Sequence, residues 1–268
     1  MTPDPFEAFK ASQREAWKSF APLAQSTTPT AAKLVHSAGV RPGQKVLDVG
    51  CGTGVVAITA RRAGAVVTGL DLTPELLAIA KENAAIAEVD GITWKEGDVE
   101  ALPFRDDEFD VVLSQFAHMF APRPEIAIKE MLRVLKQGGT IAFHTWPPEL
   151  MFGRVFALVA RYMPPPPDPK PAPPNQWGDP NVVLQRLGSA VRDVSFDRGA
   201  QTAPALSPQH FRVMMENSGG PVVRLLTFLK DEPARLAEFR REYDAIVTQY
   251  FDGNVVHQDF LMTRATKA

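Results

Sequence analysis

An α/β architecture, one largely parallel sheet covered by helices on both faces, is what this sequence predicts, on two observations. Between about Arg41 and Trp146, apolar runs of strand length alternate with stretches of helical periodicity. The first run ends in a cluster of glycines and leads straight into a helical pattern. Parallel neighbours need crossover connections, and the intervening helices supply them with right-handed sense, so both faces become covered.

Residues up to about Ala38 read as helical, with Phe6, Phe9, Trp17 and Phe20 spread among polar positions. Arg41-Pro42-Gly43 then precedes a first strand at Val46-Leu47-Asp48-Val49. Val66 to Leu70 is a second strand, Ile92-Thr93-Trp94 a third, Val111-Val112-Leu113 a fourth and Ile141-Ala142-Phe143 a fifth. Leu76, Ile79, Ala80 and Ala84 share one face of a helix that Thr73-Pro74-Glu75 starts, with Thr as cap and Pro in the first turn. Ile128, Met131, Leu132 and Leu135 share a face of another, which Gly138-Gly139 is expected to stop.

The second half has a different texture. Pro164 to Pro174 holds eight prolines in eleven residues, a stiff extended run that cannot join a helix or an inner strand and reads as a surface connector. A helix at Val182 to Leu187 and a strand at Val191 to Phe196 follow. A helical stretch runs from about Ser207 to Tyr250, where Leu236, Phe239, Tyr243, Ile246 and Tyr250 recur at helical spacing. Strand character returns from about Val255 to Thr263. The expected organisation is an N-terminal helical lid (1–38), a cofactor-binding core (39–146), and a remainder (147–268) carrying the connector (164–174) and a helical cap insertion (about 207–250).

Composition excludes several classes. Of 268 residues 45% are hydrophobic, enough for a substantial core and too many for global disorder. Twenty-nine Lys and Arg against 31 Asp and Glu leave a net charge of −2, without the basic excess of a nucleic-acid coat. The single cysteine, Cys51, excludes an intramolecular disulfide and a multi-cysteine zinc cluster. No basic and apolar leader opens the chain, and no run approaches the ~20 apolar residues of a membrane span, so a cytoplasmic protein is expected. The five histidines stand at least 26 positions apart, which predicts no metal site. Oligomeric state is left open.

The chemistry concentrates at Asp48-Val49-Gly50-Cys51-Gly52-Thr53-Gly54. A strand ends in a glycine turn and a helix begins at about Val55, so free N–H groups face whatever approaches the main chain. The dinucleotide fingerprint Gly-x-Gly-x-x-Gly/Ala fails here, because its third position falls on Val55. That argues against a nicotinamide-dependent oxidoreductase. Asp71 ends the second strand about twenty residues later, where a carboxylate can accept from both hydroxyls of a ribose. Asp98 follows the third strand; it can accept from an exocyclic adenine amine while the Val99 N–H donates to a ring nitrogen.

These segments, with Gly97-Asp98-Val99-Glu100-Ala101-Leu102-Pro103-Phe104, Phe109-Asp110-Val111-Val112 and Arg133-Val134-Leu135-Lys136-Gln137-Gly138-Gly139, resemble the class I S-adenosylmethionine-dependent methyltransferases over roughly residues 40 to 146. The ubiquinone/menaquinone-biosynthesis type is the most similar. The resemblance implies a three-layer Rossmann-like fold of seven mostly parallel strands, the last antiparallel, with S-adenosyl-L-methionine as cofactor. It implies that Gly50, Gly52 and Gly54 border the methionine moiety and that Asp48 holds its amino group through water. Asp71 would take the ribose, Leu72 pack on adenine, and Asp98 and Val99 read the adenine edge. Ser114 and Gln115 would lie near the reacting methyl, and Cys51 would pack or touch the cofactor through its backbone.

Methyl transfer needs a nucleophile held in line in a dry site, so lids are expected; the segment with Trp17 and Phe20 and the insertion after Ser207 are the candidates. A phenolic or acidic-carbon acceptor would also use a base. His118 and His144, after the fourth and fifth strands, are the candidates. The place after the fourth strand reads Ser114-Gln115-Phe116-Ala117, not the Asn/Asp-Pro-Pro-aromatic motif of base-amino methylation. No cysteine lies beyond the glycine loop for cytosine-C5 chemistry. The expectation is a small organic acceptor and no nucleic acid. A non-catalytic cofactor-binding interaction protein is the alternative, and the intact turn and three acids disfavour it.

Overall fold

The central strands of the sheet are buried at nearly every position, on both faces. A computed structural model of the protein describes residues 4–166 and 168–268. Five parallel strands form first: β1 (Lys45–Val49), β2 (Val66–Asp71), β3 (Thr93–Glu96), β4 (Phe109–Gln115) and β5 (Leu135–Thr145). On one face Val46, Val111, Leu113 and Ala142 pack with α2 (Ala24–Ser37) and α3 (Val55–Arg62). On the other, Leu47, Val112, Ile141 and Phe143 pack with α5 (Pro124–Val134) and α7 (Pro180–Leu187). Burial on both sides is what a parallel sheet requires.

The strand order is β3-β2-β1-β4-β5-β8-β6, with β6 at Val191–Pro204 and β8 at Val255–Lys267. β8 enters antiparallel between β5 and β6, so the expected mostly parallel sheet with its last strand reversed is present. A two-residue strand, β7 (Phe251–Asp252), adds only a hairpin against the start of β8. The helices α1 (Glu7–Trp17), α4 (Pro74–Ile86) and α6 (Met151–Tyr162) complete the inner set. Between β6 and β8 stand α8 (Pro208–Ser218), α9 (Gly220–Phe228) and α10 (Pro233–Thr248). The single helical stretch expected there is three helices, because Gly219-Gly220 and Asp231 to Pro233 interrupt it.

Two local readings change. Gly138-Gly139 does not stop a helix: α5 has already ended at Val134, and both glycines lie inside β5. Gly138 has φ +70°, and a Cβ on Gly139 would fall 2.9 Å from the Asp110 carbonyl oxygen. The ladder slips between Phe109 and Val111 at this point, so the pair makes a bulge that needs small residues. In α4 the buried stripe is Leu76, Leu77, Ala80 and Ala84, with Ile79 only half-buried.

Along the proline-rich run, 164–166 and 168–173 carry no regular structure; Pro167 lies outside the described residues. The run ends by returning to the core: the Ala172 N–H donates to the Pro122 carbonyl at 3.0 Å, and Trp177 is buried. The helices at the two ends of the sequence also meet. The Trp17 ring sits where a Cβ on Gly220 would be, 2.7 Å away, so α1 and α9 close against each other. Among the described residues no helix is long and apolar enough to cross a membrane.

Candidate active site

A cleft opens along the carboxyl ends of β1 to β5, the position where open α/β sheets bind ligands. Its cavity volume is about 220 Å³, and it opens to solvent. Helices α1, α6 and α8 cover it with Trp17, Phe152, Phe156 and Phe211.

The three turn glycines have left-handed backbones, φ +67°, +52° and +86° at Gly50, Gly52 and Gly54, but for different reasons. A Cβ on Gly50 would strike the Ala117 Cβ at 2.2 Å, and one on Gly54 would strike Trp94 at 2.8 Å. Those two glycines let neighbours pack. Gly52 alone is open: the nearest atom to its Cβ position is a Phe20 ring carbon 3.7 Å away, across the cleft. Gly50, Cys51 and Gly52 line the cleft and Gly54 does not. Burial pushes the Cys51 thiol well up, which keeps it an uncharged packing group.

Asp48 is the unsatisfied group of the site. It is 1% exposed and lines the cleft, and neither carboxylate oxygen has a hydrogen-bond partner among the described residues. Burial pushes its carboxyl up to about 8; the Ala57 N–H pulls it down without closing a hydrogen bond, and the Asp71 charge pushes it up further. A buried orphan carboxylate at the edge of a cavity fits an ammonium supplied from outside, such as that of an amino-acid ligand. The neighbouring Thr53 hydroxyl, also in the lining, is likewise unpartnered.

Asp71 differs. Its Oδ2 accepts the Gly52 N–H and its Oδ1 the Thr73 N–H, each at 2.8 Å. Burial raises its carboxyl, and those backbone donors hold it back. A carboxylate has about four acceptor sites, so lone pairs remain for two ligand hydroxyls. Leu72 and Val99 lie beside it in the lining. Asp98 also lines the cleft, but its Oδ2 lies 2.6 Å from the Lys10 ammonium. Lys10 reaches Asp4 at 2.8 Å and Glu100 at 2.6 Å as well, and Arg123 pairs with Asp4 and Glu100. Burial lowers the Lys10 ammonium, but these three carboxylates outweigh it and hold it raised. The three acids that converge here thus surround an ammonium and tie α1 down over the cleft.

The polar candidates after β4 and β5 separate. Gln115 lines the cleft. Ser114 lies behind it: its hydroxyl donates to the Val49 carbonyl at 2.8 Å and accepts the His118 N–H at 3.2 Å, pinning the turn to β1. His118 reaches the lining, against Phe143 and Trp177. His144 does not; its ring is enclosed by Phe116 and Phe260. Both histidines are buried without hydrogen-bond partners among the described residues, and burial pushes both down to about 3, so both are neutral near pH 7.

Several lining residues escaped the sequence reading. Phe116 stacks on Trp146, centroids 3.9 Å apart and planes 6° apart, from a backbone at φ +57°. That conformation is costly for an aromatic residue, and such strain gathers at functional positions. Gln201 and Gln258 form a buried cross-strand pair in the lining. Lys10, Gln13 and Trp17 all reach the cleft from α1, and their i, i+3, i+7 spacing was a signal available in the sequence.

Comparison with known proteins fits this geometry. A methyltransferase-domain family model matches residues 47–143. An uncharacterised protein of Mycobacterium tuberculosis is 34% identical over 265 residues, covering 97% of this chain and 96% of that protein. A demethylmenaquinone methyltransferase of Staphylococcus aureus is 38% identical over 138 residues, covering 50% of this chain and 56% of that protein. Among solved structures, a putative methyltransferase from Bacillus halodurans superposes with TM-score 0.60 at 22% identity, covering 88% of this chain and 98% of that one. At that identity the likeness speaks for the fold.

Proposed function

Because this chain belongs to the class I S-adenosylmethionine-dependent methyltransferases, with S-adenosylmethionine as methyl donor, we propose that it methylates carbon, oxygen or nitrogen of a small organic acceptor by in-line displacement. One observation carries this reading: the cleft has two unlike halves. Among the described residues, every lysine and acidic residue of the lining, Lys10, Asp48, Asp71 and Asp98, comes from α1 or from the ends of β1 to β3. The half over β4, β5, β6 and β8 is apolar and amide-lined, a surface suited to an uncharged acceptor.

In this reading Asp48 holds the donor's ammonium and Asp71 its two ribose hydroxyls. Gly50, Cys51 and Gly52 border the methionine chain, and Gly52 is where the ligand comes closest to the backbone. Leu72 packs on adenine, Asp98 and Val99 read its edge, and Gln115 stands at the methionine end. Gly54 and Ser114 act at one remove, the first by admitting Trp94 and the second by fixing the turn before His118. The bound donor supplies an electrophilic methyl on a cationic sulfur. The chain's own contribution is to hold the nucleophile about 3–3.5 Å from that methyl and to keep water out, which is worth roughly 7–11 kcal/mol. Aromatic faces around the site tolerate the positive charge before transfer. A histidine pushed down to about 3 gives up its proton too easily to be an effective base at neutral pH, so His118 serves as a neutral hydrogen-bonding group at the acceptor. His144, walled off by Phe116 and Phe260, supports the floor of the pocket.

Two measurements test the assignment. Asp71→Ala is expected to weaken S-adenosylhomocysteine binding by roughly 1.5–3 kcal/mol, since it deletes a charged acceptor; calorimetry giving unchanged affinity on folded variant would refute the ribose role. With methyl-tritiated donor and a cell extract, label is expected in the solvent-extractable small-molecule fraction. Label confined to precipitable nucleic acid or protein overturns the small-acceptor reading.

A further inference from the structure

A hydrogen-bond chain of polar side chains ends in the amide-lined half of the cleft. Gln115 Nε2 donates to the Thr30 hydroxyl at 2.8 Å; that hydroxyl meets Gln201 Oε1 at 3.2 Å; Gln201 Nε2 donates to Gln258 Oε1 at 2.7 Å. The chain thus crosses from β4 through α2 to β6 and β8, and it stops at the cleft. Gln258 is 3% exposed and lines the cavity, and none of the hydrogen bonds among the described residues uses its Nε2. Burying four polar side chains among apolar ones is costly unless every group is paired. Here the one open valence belongs to a side chain of the cleft lining. The same half of the cleft is lined by Phe116 stacked on Trp146 and by Phe152 and Phe211, and among the described residues it is lined by no charged side chain.

Resting on the methyltransferase reading above, we propose that the acceptor is an uncharged, flat, apolar molecule lying against the Phe116–Trp146 stack, with one oxygen atom held by the Gln258 carboxamide. Phe116 keeps its strained backbone because the stack forms the floor for that molecule. The Gln115–Thr30–Gln201 chain fixes the rotamer of Gln258, so the oxygen is placed and not merely attracted. In the orientation described, Gln258 offers its NH₂ to a carbonyl or phenolic oxygen. The Thr30 hydroxyl can instead donate to the Thr27 carbonyl, 2.9 Å away. Both carboxamides then reverse together and Gln258 offers its own carbonyl to a hydroxyl. Gln258 is therefore a positioning residue for acceptor specificity, distant from the donor's carboxylates.

The test uses the full chain saturated with S-adenosylhomocysteine, with 1-naphthol, naphthalene and 1-naphthoate as probes and quenching of tryptophan fluorescence as readout. The expected result is saturable binding of naphthol, weaker binding of naphthalene and weakest binding of the anionic naphthoate. Gln258→Leu is expected to weaken naphthol by roughly threefold to tenfold while leaving naphthalene and S-adenosylhomocysteine affinities unchanged. A merely structural role for Gln258 would move naphthol and naphthalene alike. Gln258→Met serves if the leucine variant does not fold. Loss of naphthol and naphthalene in parallel, no loss at all, absence of saturable naphthol binding, or naphthoate binding tighter than naphthol each overturns the proposal. Failure of the parent to bind S-adenosylhomocysteine strikes instead at the methyltransferase reading beneath it.

Discussion

Asp48→Asn is expected to lower S-adenosylhomocysteine affinity roughly a hundredfold, about 3 kcal/mol, and at the same time to stabilise the free protein. Both effects follow from one buried, unpartnered carboxyl pushed up to about 8. The unfolded chain ionises it near 3.8. A carboxyl whose folded value is raised contributes nothing unfavourable below pH 3.8, then costs stability progressively as pH rises towards 8. At about 1.4 kcal/mol per pH unit the cost reaches roughly 6 kcal/mol above pH 8. Asparagine carries no charge at any pH. The variant should therefore melt at least ~5 °C higher than the parent at pH 8, with the difference gone at pH 4. Binding has the opposite linkage. The ligand's ammonium favours the carboxylate, so near pH 7 the parent must release close to one proton on binding. Affinity should rise nearly tenfold per pH unit up to about 8 and then level off. Calorimetry in two buffers of different ionisation enthalpy reads the proton directly. Affinity that is flat between pH 6 and 8 would show that Asp48 does not meet the ammonium.

The second large effect concerns Lys10. Its side chain is 11% exposed, and its ammonium contacts Asp4, Asp98 and the buried Glu100. Lys10→Met would leave three carboxylates facing one another, with only Arg123 in compensation. Breaking a buried ion cluster by removing one partner costs about 3 kcal/mol or more, so the melting temperature should fall by roughly 6–10 °C. Combining it with Asp98→Asn should cost less than the two changes added, because the second removes a charge the first has stranded. Strict additivity, or a melting temperature within 2 °C of the parent, would mean that the cluster does not hold α1 over the cleft.

What the sequence revealed depended on how local the cause was. The glycine turn, Asp48 and Asp71 sit at strand ends a few residues from the structure that positions them, and the alternation of strands and helices is likewise local. The contacts of Lys10 span 88 and 90 positions to Asp98 and Glu100, and those between Gln201 and Gln258 span 57, so no spacing rule reaches them. Nor do the two glutamines stand out, because β6 and β8 carry many other polar residues. Phe116 was illegible for another reason: a left-handed backbone at an aromatic residue contradicts its own preference. His118 and His144 looked equivalent, each following a strand. One lies on the turn beyond β4 and the other still inside β5 facing Phe260, a difference of side-chain parity that a strand boundary uncertain by one residue hides.

β8 follows every other strand in the chain, yet it lies between β5 and β6 instead of at an edge. During synthesis β6 therefore has no neighbouring strand to pair with until residues 255–267 have emerged, although the three helices after it can already dock on α1 and α6. The nascent molecule would carry a finished nucleoside half and an unclosed flank, a late, long-range annealing step of the kind that slows folding. Assembly of the pocket for the second molecule is thereby deferred to the last moment, since the amide that greets it travels on that closing strand.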